Sequence, residues 1–140
     1  MSEFVVDASV AVKWFFAEIH EASALELFRG RHNLLVPDVF FAEIGHALTK
    51  RLQRRETTMA VATGALEALG GMVFQIHPTH AIAPLALDVA ARFQRSFYDS
   101  LYLAVALLRH CQVVTADGPL YRALEHGPLR SHVLWVADLA

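Results

Sequence analysis

The stretch FVVD, residues 4–7, is a short apolar run rich in β-branched residues that stops at an aspartate. The same pattern returns near the other end of the chain, where QVVTAD at residues 112–117 again stops at an aspartate. Continuous apolar runs of this length are typical of strands buried on both faces of a parallel sheet. Because such sheets bind ligands beyond the carboxyl ends of their strands, Asp7 and Asp117 are expected at one edge if the two strands are neighbours.

Three further apolar runs predict strands, namely LLVP (34–37), MVFQIHP (72–78) and VLWV (133–136). Helical spacing predicts helices between the strands, over residues 10–30, 39–55, 59–69, 80–94, 96–110 and 118–126. Asp38 is expected to cap the helix that follows it. Strands alternating with helices predict an α/β fold, a three-layer α/β/α arrangement around a central parallel sheet of four to five strands. No linker interrupts the pattern, so residues 1–140 are expected to form a single domain.

The composition narrows the class of protein. Hydrophobic residues make up 55% of the chain and charged residues 19%, which excludes disorder and favours an interface with a partner or a second copy. The formal net charge of −2 gives no overall signature of nucleic-acid binding. Cys111 is the only cysteine and fits a reducing compartment. Without a recognisable signal peptide or membrane span, the chain is expected to be cytoplasmic, with no membrane contact.

Two more acids stand where helices approach the same edge of the sheet. Glu43 lies one turn into the helix after the second strand, at the margin of its apolar stripe. Asp99 lies in the first turn of helix 96–110, three residues after Ser96. Each has an ordinary alternative, Glu43 as a solvated residue and Asp99 as part of a capping box. Together with Asp7 and Asp117 they form a candidate cluster of four carboxylates.

The chemistry of such a cluster depends on a cation. Four carboxylates at one edge would repel one another unless a positive charge neutralised them. Oxygen ligands without cysteine favour Mg²⁺ or Mn²⁺. Zinc is not favoured, because His77 and His80 form the only close histidine pair and no third ligand accompanies them. Since carboxylate-bound Mg²⁺ or Mn²⁺ is a common means of phosphodiester hydrolysis, the pattern predicts a metal-dependent hydrolase of this kind.

Basic and aromatic residues near these acids each allow two interpretations. Lys50, Arg51, Arg54 and Arg55 either form the solvated end of a helix or a local phosphate-binding edge. Lys13 is likewise either a solvated lysine or a phosphate contact.

Two tyrosines flank Asp99 at helical spacing. Tyr98 and Tyr102 are either core or interface residues, or platforms on which nucleic-acid bases stack. The spacing alone does not separate the two roles.

Four motifs in order resemble the PIN-domain family: VVDASV, VPDVFFAEIGHAL, SFYDSLYLAVA and VVTADGPLYRAL. Their order, their gaps and the chain length resemble the small bacterial and archaeal members, the toxins of VapBC-type toxin–antitoxin pairs. The resemblance implies a metal-dependent endoribonuclease in which Asp7, Glu43, Asp99 and Asp117 bind Mg²⁺ or Mn²⁺.

The resemblance also implies supporting residues and partners. Ser9 and Thr115 match small hydroxyl positions that support the acids. RNA would be the substrate, the chain would form a homodimer, and the C-terminal segment of an antitoxin would lie over the site. The sequence GPL follows Asp117 and no acid appears before Glu125, so a second metal site is left open.

Other functions remain as alternatives. A free-standing PIN-fold nuclease in RNA processing would share the same acids. A phosphoacceptor signalling domain would be expected to have an acidic pair after its first strand and a lysine after its last, whereas this chain has Asp7 alone and no lysine after QVVTAD. A non-catalytic binding module would have no reason to hold four carboxylates together.

Overall fold

The computed structural model describes residues 2–139, and its centre is a parallel sheet of five strands. The strands are β1 (Ser2–Val6), β2 (His32–Pro37), β3 (Gln75–His77), β4 (Gln112–Thr115) and β5 (Val133–Trp135). Their order across the sheet is β3-β2-β1-β4-β5. The predicted parallel α/β sheet is confirmed, although β3 is shorter than the predicted run 72–78.

Within residues 2–139, seven α-helices connect the strands. They are α1 (Ala8–Ala11), α2 (Glu21–Arg29), α3 (Val39–Gln53), α4 (Met59–Gly70), α5 (Thr79–Phe93), α6 (Phe97–Arg109) and α7 (Gly118–Leu124). The chain steps outward from β1 to β3 and then crosses back to β4 and β5. Because crossovers between parallel strands are right-handed, α1–α4 and α5–α7 cover opposite faces, which gives three layers. No helix within residues 2–139 is long and apolar enough to cross a membrane.

Helix α6 packs across the middle of the sheet, against β1, β2 and β4. Every residue from Ser100 to Ala106 is buried, so about two turns of this helix lie in the core. The strands beneath contribute Val5 and Val114, each fully buried. Burying a side chain of this size stabilises the fold by about 1.5–3 kcal/mol. The N-terminal turn of α6 is therefore held firmly at the edge of the sheet.

The single helix predicted over residues 10–30 is wrong. Helix α1 ends at Ala11, a 3₁₀ turn covers Val12–Trp14, and a loop leads to α2. His20, just before α2, has a left-handed backbone with φ of 66°, which a continuous helix does not allow. The Trp14 indole donates to the Ala24 carbonyl at 2.8 Å, so the chain folds back on itself. Helical periodicity was present on both sides of the break but could not locate it.

The sequence predicted that Asp38 caps α3, and this prediction is wrong, because its side chain makes no capping hydrogen bond to that helix. Its carboxylate accepts hydrogen bonds from the Thr79 backbone N–H at 3.1 Å and from the Thr79 hydroxyl, at the start of α5. The reason lies in strand pairing, because the Asp38 N–H donates to the His77 carbonyl at 2.9 Å and brings the two segments together. Asp38 therefore joins α5 to the carboxyl end of β2.

We expect Asp38→Ala to lower the free energy of unfolding by about 1 kcal/mol, since it removes an acceptor from the first turn of α5. Asp88→Ala is the matched control, because Asp88 forms only an exposed pair with Arg92 at 3.0 Å and such pairs contribute little. Urea unfolding of the two variants and the parent measures the difference. Equal stability of both variants would contradict the joining role of Asp38.

Candidate active site

The site lies where the chain direction across the sheet reverses, between β1 and β4. These strands are neighbours, with Val6 in register with Val114. The Asp7 N–H extends the pairing by donating to the Val114 carbonyl at 3.1 Å. After β1 the chain leads to β2 on one side, and after β4 it leads to β5 on the other side. The two connections diverge, which opens a crevice at the carboxyl ends of β1 and β4. Asp7 lies at the start of α1 and Asp117 at the start of α7, on the two sides of this crevice.

Asp7 is held by two hydroxyl groups. Ser9 Oγ donates to Asp7 Oδ2 at 2.7 Å, and Thr115 Oγ1 donates to the same oxygen at 2.8 Å. Each hydroxyl also accepts a backbone N–H at 3.0 Å, from Ala116 for Ser9 and from Asp117 for Thr115. Because a hydroxyl has one proton, each proton is directed at Asp7. The two bonds both end on Oδ2, so Oδ1 is the atom available to a cation.

The pKa of Asp7 is raised from 3.8 to about 6. Burial is the largest cause, because it removes the carboxylate from water. The bonds from Ser9 and Thr115 lower the pKa, and the negative charges of Glu43 and Asp99 raise it. The two hydroxyl donors therefore only partly offset the cost of keeping this charge inside the protein.

Glu43 is positioned by a buried tyrosine. The Tyr102 hydroxyl donates to Glu43 Oε1 at 2.7 Å, and Tyr102 lies on α6 in the core. Burial raises the pKa of Glu43, the bond from Tyr102 opposes this, and the charge of Asp99 raises it further. The sequence did not assign this role to Tyr102. Its position one turn after Asp99 on the same helical face was the signal that could have suggested it.

Asp99 has a structural and an electrostatic role together. Its backbone N–H donates to Ser96 Oγ at 3.0 Å, which confirms that Ser96 caps α6. Burial raises the pKa of the Asp99 carboxyl most, and the charge of Asp117 raises it as well, while Ser96 and Arg95 lower it. The cap therefore uses the backbone of Asp99, and its carboxylate still belongs electrostatically to the acidic cluster.

Asp117 has a local task of its own. Its Oδ1 accepts the Leu120 N–H at 3.2 Å and caps α7, where Pro119 occupies the first turn as the sequence predicted. Its negative charge reaches Asp99, as the raised pKa of that residue shows. Asp117 is thus linked to the cluster through Asp99.

The charges of Glu43 and Asp99 raise the pKa of Asp7, and the charge of Asp117 raises that of Asp99. Within residues 2–139, however, no three Asp, Glu, His or Cys side chains form a ready-made metal site. Repulsion between carboxylates and their separate local partners account for this spacing. The donors present are nevertheless carboxylate oxygens in a buried, negatively charged crevice. This donor set fits Mg²⁺ or Mn²⁺.

The candidate phosphate contacts are not brought to the carboxylates. Lys13 is buried and its Nζ lies 3.2 Å from Glu18 Oε2, while Arg51 pairs with the other Glu18 oxygen and covers the Phe16 ring. Glu18 lies in the loop before α2.

The other basic residues are exposed near the far end of α3. Lys50 follows Glu43 by seven residues and Arg54 by eleven, so they lie about 10–17 Å away along the helix axis. Arg55 lies beyond the helix with φ of 58°. A phosphate contact from this cluster would fall several nucleotides from the carboxylates.

Comparison with known proteins identifies the family. The model of the PIN domain matches residues 4–124. The chain belongs to the PIN-domain family. Ribonuclease VapC1 of Mycobacterium tuberculosis is 29% identical to this PIN domain over 123 residues, which is 88% of this chain and 92% of the relative. The match is the same for strains CDC 1551 and H37Rv.

Solved structures share the fold. PAE2754 from Pyrobaculum aerophilum superposes with a TM-score of 0.71 at 23% identity, over 99% of this PIN domain and 86% of that chain. A toxin–antitoxin complex from Klebsiella pneumoniae gives a TM-score of 0.60 at 18% identity, over 96% of each chain. VapBC2 from Rickettsia felis, bound to promoter DNA, gives 0.60 at 13% identity, over 95% of this chain and 98% of that one. These likenesses confirm the fold that the four motifs implied.

The raised pKa of Asp7 predicts how stability depends on pH. Because folding raises this pKa to about 6, the folded state favours the protonated acid, and stability is lost as pH rises through the folded pKa. The shift corresponds to about 3 kcal/mol at neutral pH. Asp7→Asn cannot ionise and can keep an oxygen facing Ser9 and Thr115.

We therefore expect Asp7→Asn, without divalent metal, to be more stable than the parent by about 1–3 kcal/mol near pH 8, with the gain disappearing below about pH 4. Urea unfolding across this pH range, with EDTA present, measures it. Asp88→Asn, at an exposed position, is the control and should show no such pH-dependent gain. A parent more stable than Asp7→Asn near pH 8 would contradict the burial cost.

Proposed function

We propose that the chain is a metal-dependent endoribonuclease that hydrolyses RNA phosphodiester bonds, acting as the toxin of a VapBC-type toxin–antitoxin pair. The observation that carries the proposal is the buried Asp7 carboxylate, fixed by two hydroxyl donors and placed within electrostatic reach of Glu43 and Asp99. Membership of the PIN-domain family and the 29% identity to Ribonuclease VapC1 support it.

Asp7, Glu43 and Asp99 would hold Mg²⁺ or Mn²⁺, and Asp117 would complete the site. The cation would supply Lewis-acid polarisation of the scissile phosphate and of the attacking water. The negative charge of the four carboxylates would favour a cation in the crevice and, without one, would disfavour an approaching phosphate.

The other residues of the site position these acids. Ser9 and Thr115 fix Oδ2 of Asp7, so Oδ1 would be the oxygen that meets the cation. Tyr102 fixes one oxygen of Glu43 from the core side. A water molecule would attack phosphorus in line, the bond from phosphorus to O3′ would break, and the products would carry 5′-phosphate and 3′-hydroxyl ends. Because the acids are rigidly placed, they would stabilise the in-line transition state more than the bound substrate.

The partners are part of the same proposal. An antitoxin would cover the site, and the chain would form a homodimer in the cytoplasm. Exposed apolar side chains support a protein interface, among them Met59, Val61 and Leu66 on α4. The Klebsiella pneumoniae and Rickettsia felis structures are toxin–antitoxin assemblies of the same fold. A short neighbouring reading frame that encodes an antitoxin would distinguish a toxin from a free-standing RNA-processing nuclease.

Purified protein is expected to cleave RNA with Mg²⁺ or Mn²⁺ and to lose that activity in EDTA. Asp7→Asn and Asp99→Asn should each lower the single-turnover cleavage rate by about 100-fold or more, because each removes a charged donor from the site. Gel analysis of a labelled RNA measures the rate and the chemistry of the new ends.

Asp38→Asn and Asp88→Asn are matched controls, since one acid lies at the same sheet edge and the other on an exposed helix. Both should cleave like the parent. Folded Asp7→Asn and Asp99→Asn proteins that cleave at the parent's rate would contradict the proposed roles, and cleavage that EDTA leaves unchanged would contradict the metal.

A further inference from the structure

A cleft of about 400 Å³ opens beside the carboxylates, between α3 and the first turn of α6. Its lining consists of Val39, Ala42, Glu43, His46 and Tyr98. The four residues from α3 follow an i, i+3, i+4, i+7 spacing, so they form one stripe along a single face of that helix. Because Glu43 belongs both to this lining and to the acidic cluster, the cleft opens directly onto the candidate site.

Tyr98 forms the opposite wall and is unusually open for an aromatic residue in a folded domain. Its side chain is 60% exposed, whereas Tyr102, one turn further along α6, is 2% exposed. Tyr102 supports the core and bonds to Glu43. The structure thus separates two tyrosines that the sequence left equivalent, and leaves the Tyr98 ring accessible beside the cleft.

The lining has the chemistry of a site for an unpaired nucleobase. An accessible tyrosine ring offers a stacking surface, Val39 and Ala42 offer apolar contact, and the imidazole of His46 offers a hydrogen-bond partner. Proteins that bind single-stranded RNA use this combination of aromatic stacking and polar contacts to base edges. The volume of about 400 Å³ lies at the small end of ligand pockets, which suits one base and not a duplex.

The charged groups around the cleft agree with a nucleobase as its occupant. The lining named above contains no Lys or Arg, and its one carboxylate, Glu43, is assigned to the proposed cation, so a base suits this lining better than a phosphate does. Lys50 follows His46 by one turn on the same stripe of α3 and is exposed. It is therefore placed to meet a more distant phosphate of the same strand, unlike Arg51, which is paired with Glu18.

We propose that this cleft binds the nucleobase next to the scissile phosphate, with Tyr98 stacked on the base and His46 bonded to its edge. The inference rests on the proposed ribonuclease function and adds a substrate requirement to it, namely an unpaired base at the cleavage site. Tyr98 and His46 become the residues that set base preference.

Binding of RNA without cleavage tests the cleft. A fluorescein-labelled pool of random octaribonucleotides is titrated with protein, with Ca²⁺ replacing Mg²⁺, and anisotropy gives Kd. Tyr98→Ala should raise Kd by roughly 5- to 100-fold, the range for loss of one base–aromatic stack, while Tyr98→Phe should stay within about twofold of the parent. Leu87→Ala is the control, because Leu87 is a 64% exposed apolar residue on α5 and does not line the cleft.

Photocrosslinking of the unmutated protein gives an independent readout. The same pool with 5-iodouridine in place of uridine is irradiated on the protein, and mass spectrometry locates the adducts. Adducts on Tyr98 or His46 support the proposal. Equal Kd for the parent and Tyr98→Ala, with adducts elsewhere, would overturn the base site and leave a cleaving enzyme intact.

Two further outcomes separate the inference from the proposed function. A parent that neither binds nor cleaves RNA overturns both. If Tyr98→Ala keeps its affinity for RNA but no longer binds the protein encoded by an adjacent antitoxin reading frame, the occupant of the cleft is a protein side chain, and the nucleobase proposal is wrong.

Discussion

A negative charge held inside the protein, at the junction of β1 and β4, is the constraint on which the site depends. The Asp7 carboxylate accepts hydrogen bonds from the Ser9 and Thr115 hydroxyls, yet its pKa still rises to about 6 because burial outweighs those bonds. Glu43 and Asp99 add to the repulsion. Because these carboxylates repel one another in the absence of a positive charge, we propose that a divalent cation binds among them.

The apolar core supplies the stability that holds these groups together. Helix α6 is buried from Ser100 to Ala106 and carries Asp99 at its start and Tyr102 within it. Burial of its larger aliphatic side chains, Leu101, Leu103 and Val105, contributes about 1.5–3 kcal/mol each, which is comparable to the cost of one raised carboxylate pKa. The apolar sequence of α6 therefore explains how an acid can stand at its start, because burial of the helix in the core offsets the cost of an unfavourable charge.

Much of this could be predicted from local pattern. FVVD and QVVTAD have the composition of buried parallel strands, and an aspartate after each strand falls at one edge by topology alone. The first-turn position of Asp99 followed from the Ser96 cap, which the structure confirms. The four-carboxylate cluster as a cation site is still a prediction, and the structure adds the electrostatic coupling that makes it chemically reasonable.

What failed depended on contacts between distant residues. The break near His20 arises because Trp14 folds back onto Ala24, and helical periodicity does not encode that contact. Asp38 binds Thr79, 41 residues away, through the pairing of β2 with β3. Likewise, helical spacing cannot say which of two tyrosines on one helix meets solvent. Each error has one cause, since a local pattern gives the face of an element but not its neighbour.

Proton release on metal binding tests the central claim most directly. Calorimetric titration of Mn²⁺ into the protein at about pH 6, in buffers of different ionisation enthalpy, counts the protons displaced. If a cation binds the cluster, the parent should release a substantial fraction of a proton as Asp7 ionises, and Asp7→Asn should bind more weakly and release less. Binding of equal strength to both proteins, with no proton released by either, would contradict the claim that the buried Asp7 carboxylate is a ligand of the bound cation.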